Sequence, residues 1–175
     1  MFLSLLGIGL GLGAVAAWQK HRQAQEEAVL ARIARGEPPP QNAAPRLRLA
    51  WANYLLGRGR YEEALTVFGG LLEQPESALS PWVHYNLGNL YLRCALVAVQ
   101  EGRFDEAFPL VELAKQSYRE ALHLQSKLWP AKYNLEAALR LLPEIAELPA
   151  RAKESQDGRE LPLATQVPGF PRGLP

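Results

Sequence analysis

Two asparagines, Asn53 and Asn89, are the side chains of this sequence best placed for recognition chemistry. A carboxamide donates and accepts at once, so it can hydrogen-bond the backbone of an extended peptide. Tyr85 lies one helical turn before Asn89 and Arg93 one turn after it, with Trp82 close by. A guanidinium takes a carboxylate through two parallel hydrogen bonds. Asn53, Trp82, Tyr85, Asn89 and Arg93 thus make a candidate groove for a peptide or a partner helix.

Residue types that would do covalent or metal chemistry are not arranged for it. His21, His84 and His123 stand singly, with no second histidine at a ligand spacing. The chain carries no glycine-rich phosphate loop and no G-x-S-x-G nucleophile turn. Asp157-Gly158 lacks the repeated Asp/Asn pattern of a calcium loop. Glu62-Glu63 and Asp105-Glu106 are adjacent acids, but they fall where a helix would begin, and carboxylates there suit the helix dipole. The sequence reading is a binding protein rather than an enzyme, with no cofactor and no metal of its own. A net charge of +1 argues against a nucleic-acid partner, which would call for a concentrated basic face. Cys94 is the only cysteine, so no intramolecular disulfide forms, and either redox compartment stays open. On a helix it reads as a small core residue.

The elements that must position the groove are announced by internal similarity. HYNLGNLYL (residues 84–92) is echoed by KYNLEAAL (residues 132–139), and GRYEEAL (59–65) by GRFDEA (102–107). Such self-similarity marks stacked helix pairs. The spacing predicts helices over 45–57, 61–74, 80–101, 105–125 and 129–142.

From Pro45 onward the pattern resembles tetratricopeptide repeats, helix hairpins of about 34 residues each. Leu87-Gly88, Tyr91, Gly102, Phe104 and Ala107 match one unit, and Ala52, Leu55, Gly59, Tyr61 and Ala64 the other. The last helix has no partner and is expected to cap the open end of the stack. The second unit is longer than the repeat by about seven residues in each arm, nearly two helical turns, which keeps the apolar face in register. Both arms should therefore be roughly 30 Å long. The buried face of the extension is expected to be Ala95, Leu96, Val99, Phe108 and Leu110, with Val111 and Ala114 beside them. Pro109, near the start of its helix, should cause at most a mild kink. The asparagine pair resembles part of the carboxylate clamp of some tetratricopeptide proteins. Leu49 and Tyr85 stand where that clamp has lysines, so a less specific peptide groove is implied.

Outside the repeats, residues 1–18 are almost wholly apolar, and Lys20 and Arg22 follow at once. About 18 apolar residues just cross a hydrocarbon core. The reading is a single-span anchor with Trp18 at the interface; a signal peptide cleaved at Ala14-Val15-Ala16 is the alternative. Glycines 7, 9, 11 and 13 form small-xxx-small pairs, which ordinary glycine enrichment in a membrane segment also explains. The basic flank alone would place the body in the cytoplasm. Residues 19–36 continue as a juxtamembrane helix closed by Gly36, and the proline-rich stretch 37–44 reads as a stiff spacer. Residues 149–175, rich in proline and glycine, read as a disordered tail, with Phe170 and Arg172 as docking anchors.

Taken together, the apolar leader, HYNLGNLYLR, the long hairpin ending in LVELAKQSYREAL, AKYNLEAALRLLPE and the final PGFPRGLP resemble the MxaK family of bacterial methanol-oxidation accessory proteins. The resemblance implies a scaffold that works with MoxR-type and von Willebrand A-type proteins to mature the periplasmic methanol dehydrogenase, including calcium insertion. It also implies an inner-membrane anchor with the repeats in the periplasm, against the charge bias of the flank.

Overall fold

The computed structural model describes residues 2–73 and 78–155, with the side chains of 15–73, 78–141, 143, 145 and 147. Six helices and no strand occur among the described residues. They are α1 (Phe2–Ala34), α2 (Pro45–Gly57), α3 (Tyr61–Leu72), α4 (Ser80–Gln100), α5 (Phe104–Leu124) and α6 (Trp129–Ser155). The described part of the chain is all-α, as the sequence indicates.

Helix ends follow local chemistry. Pro45 and Pro81 sit in the first turns of α2 and α4, where a missing N–H costs nothing. Gly59 and Gly102 end α2 and α4 in the left-handed region, at φ 73° and 72°. The following N–H groups reach back to close each helix: Arg60 to the Leu55 carbonyl at 3.0 Å, and Arg103 to that of Ala98 at 2.8 Å. This double-closed ending turns the chain at once, so α2 pairs with α3 and α4 with α5.

Two cores share α4. Leu49, Ala52, Leu55 and Leu56 of α2 meet Ala64, Phe68 and Leu71 of α3 and Val83, Leu87 and Leu90 of α4. On its other side α4 gives Tyr85, Leu92, Ala95 and Ala98 to a second core. There α5 adds Ala107, Val111, Ala114, Tyr118 and Ala121, and Ala131, Ala138 and Ile145 of α6 complete it. Trp82 and Tyr91 border both clusters. Alanines dominate the α4–α5 seam, so the backbones approach closely and dispersion contacts accumulate over about 30 Å.

The extension is buried by a somewhat different set than the sequence suggests. Ala95, Val111 and Ala114 are buried, but Phe108 is 43% exposed. The inward stripe of α5 runs Ala107, Val111, Ala114, Tyr118, Ala121, at helical spacing, and Phe108 lies about 100° off it. Cys94 is half-buried rather than fully inside.

Three segments differ from the sequence reading. The leader and the juxtamembrane stretch form one uninterrupted helix, α1, ended by Gly36 at φ 90°. The proline-rich segment reverses the chain instead of holding α1 away: Ile33 is 4% exposed, and α1 contacts α2. Beyond residue 142, α6 continues to Ser155, so residues 149–155 are helical rather than tail. Pro143 is exposed, and Ile145 just past it is buried at 2%, which pins the helix to α5 beyond the lost hydrogen bond.

Among the described residues no helix is long and apolar enough to cross a membrane. The anchor reading rests on residues 1–18, and the side chains of 1–14 lie outside those described. Residues 156–175, with Phe170 and Arg172, also lie outside them.

Candidate functional site

The five groove residues do not line one open surface. Asn53 is exposed on α2. Trp82, Asn89 and Arg93 are half-buried on α4, and Tyr85 is buried at 6%. Trp82 meets Tyr85 edge to face, with ring centroids 6.2 Å apart. Arg93 donates to the Leu56 carbonyl at 3.4 Å and so ties α4 to the end of α2.

Asn89 is turned inward. Its Oδ1 accepts from the Tyr118 hydroxyl at 2.9 Å and from Asn134 Nδ2 at 2.8 Å. Its own amide donates to Asn86 Oδ1 at 3.5 Å, and Asn86 donates to the Trp82 carbonyl at 2.9 Å. One carboxamide thus joins α4, α5 and α6. Burying such groups is tolerable because each finds a partner. Among the described residues no buried side-chain nitrogen or oxygen is left without one. Burial first, and Tyr85 beside it second, raise the Tyr118 hydroxyl pKa well above its ordinary value, so it stays a donor.

Gly88 explains how Tyr118 enters the seam. A Cβ on Gly88 would lie 2.8 Å from Cζ of the Tyr118 ring. Only glycine leaves room for that ring against the α4 backbone.

Sequence reading missed Tyr118 and Asn134. A signal for Asn134 exists: it and Asn86 hold the same place in the matched segments HYNL and KYNL. Tyr118 had none beyond its place on the inward stripe of α5.

An aromatic stack on α2 was also missed. Trp51 and Tyr54 stack 5.3 Å apart at 8°. Arg58 lies 5.2 Å from the Tyr54 ring centroid and Arg60 5.9 Å from that of Trp51. Cations over aromatic faces are attracted by the ring quadrupole. Arg60 is also held by Glu63 at 2.6 Å. The stack is half-buried: Trp51 packs against the first core, and the Tyr54 hydroxyl lies against Gly36 at the end of α1.

No group of metal-ligating side chains gathers among the described residues. His84 is half-buried, and desolvation lowers its pKa despite the opposing pull of Glu120, so its imidazole is neutral at pH 7. Burial likewise pushes the Cys94 thiol up. Because the thiolate is the reactive form, Cys94 in the folded chain should alkylate several-fold more slowly at pH 8 than in the urea-unfolded chain. Equal rates, followed by mass spectrometry, would show that the thiol is not shielded.

No protein-family model matches the chain, and neither a curated protein nor a solved structure does.

Proposed function

We propose that this chain is a non-catalytic, membrane-anchored scaffold of the tetratricopeptide-like kind, similar in role to MxaK. It assists calcium insertion and assembly of a periplasmic methanol dehydrogenase, alongside MoxR-type and von Willebrand A-type proteins. The anchor is the apolar stretch 1–18, and the hairpins stand in the periplasm.

The observation that supports this reading best is the elongated α4–α5 hairpin, continuous with a two-helix hairpin on one side and closed by α6 on the other. A stack of this kind offers long surfaces and fixed polar groups, which suits docking of partners. Its contact surface takes in Asn53, exposed on α2, together with Trp82 and Arg93 of α4. Tyr85 and Asn89 serve that surface from within, by holding α4 against α5 and α6. Handling of the metal falls to a partner.

The test is a pull-down from native membranes with a C-terminally tagged chain. Recovery of von Willebrand A-type proteins with methanol dehydrogenase subunits is expected. The deletion strain should hold dehydrogenase protein of low activity, partly rescued by high calcium. Normal methanol oxidation in that strain would sink the maturation role. Von Willebrand A-type proteins recovered with another client would leave a general envelope adaptor.

A further inference from the structure

The exposed face of α6 carries an aromatic ridge that neither core uses. Trp129 is 72% exposed, and Tyr133, one turn on, is 52% exposed. The same face continues through Glu136 and Arg140, which pair with each other. Residues at this spacing align along one side of a helix. The ridge therefore presents two aromatic rings, then an acid, then a base. Lys132 Nζ lies 4.6 Å from the Trp129 ring centroid and steadies that ring. Leu139, 46% exposed, flanks the far end. The other large exposed apolar side chains of the hairpins, Leu65, Phe108, Leu113 and Leu124, stand without such an array.

We infer that the chain's own segment 168–175, PGFPRGLP, docks on this ridge antiparallel to α6. Three features select that occupant. The first is chemistry: proline-rich segments adopt an extended helix at little entropic cost and settle against exposed aromatic rings.

The second is register. An extended helix rises about 3.1 Å per residue, so Arg172 and Pro175 are about 9 Å apart. Glu136 and Trp129 are about 10.5 Å apart along α6. Placing Arg172 at Glu136 therefore sets Leu174 and Pro175 over Tyr133 and Trp129, and Phe170 beside Leu139. The acid of the ridge meets the one base of the segment, and the apolar groups meet each other.

The third is reach. By Ser155, α6 has carried the chain about 39 Å from Trp129. The residues from there to Pro175 span about 60 Å when extended, enough to return with slack. Tethering of this length gives an effective concentration in the millimolar range, so a weak contact suffices. The inference does not depend on the maturation role.

The experiment uses the full chain in detergent, with benzoylphenylalanine in place of Phe170. Ultraviolet cross-linking followed by mass spectrometry reads where residue 170 sits. The expected product joins it to residues 133–143 of the same chain, with a yield independent of protein concentration. Trp129→Ala should lower that yield several-fold; the residue is exposed, so the fold is not at stake. Arg172→Glu and Glu136→Arg should each lower it several-fold, and the double exchange should restore it. Cross-links elsewhere on the chain, no cross-link, or a yield that rises with concentration would overturn docking within one chain. Failure of the double exchange to restore the yield would overturn the register.

Discussion

Tyr118→Ala is expected to cost about 3–5 kcal/mol of stability, the range for removing a fully buried aromatic ring. The ring is 0% exposed, lies against Gly88, and reaches the amide that joins α4 to α6. Tyr118→Phe separates the two contributions. It keeps the ring and removes only the donor to Asn89 Oδ1, which still accepts from Asn134, so a loss of about 1 kcal/mol is expected. Urea unfolding at constant slope measures both. Gly88→Ala should cost about 1–3 kcal/mol by overpacking, and most of that cost should vanish when residue 118 is already alanine. A loss below about 2 kcal/mol for Tyr118→Ala would mean that α4 and α5 close around the gap. Tyr118 would then not be what fixes their spacing.

How much of this was legible follows from where the signals sit. Gly59, Gly102, Pro45 and Pro81 act locally, so the starts and ends of α2, α4 and α5 could be read from the sequence almost to the residue. The long hairpin was legible because an addition of nearly two turns in both arms leaves the stripe intact. The run-on of α6 was not, because Pro143 is an ordinary stop signal and only the docking of Ile145 on distant residues overrides it. The direction of Asn89 was equally hidden. Its place in a repeat suggests a groove, yet its partners come from α5 and α6, far along the chain. Phe108 shows the opposite limit: a large apolar residue lay near a correct stripe, but alanine at 107 took the inward position.

Phe68→Ala should loosen one end of the molecule and leave the other standing. Phe68 is 0% exposed at the centre of the core formed by α2, α3 and one side of α4. Its loss should cost that core about 3–5 kcal/mol. Stacked hairpins are coupled mainly to their neighbours, so the loss should stay local. Amide exchange in α2 and α3 should quicken by about a hundred- to a thousand-fold or more, at 1.4 kcal/mol per tenfold. Amides of α5 and α6 should change little, because their core draws on Val111, Tyr118, Ala138 and Ile145 and not on α3. The dependence is one-sided. α4 supplies Val83, Leu87 and Leu90 to the first core, so damage to the second core at Tyr118 removes the floor on which α2 and α3 rest. Tyr118→Ala should therefore quicken exchange in every helix from α2 to α6, whereas Phe68→Ala should spare α5 and α6. Equal quickening in both variants would make the chain a single cooperative unit. An asymmetric result would mean that α4, α5 and α6 form the rigid platform and the α2–α3 hairpin is the part free to adjust to a partner.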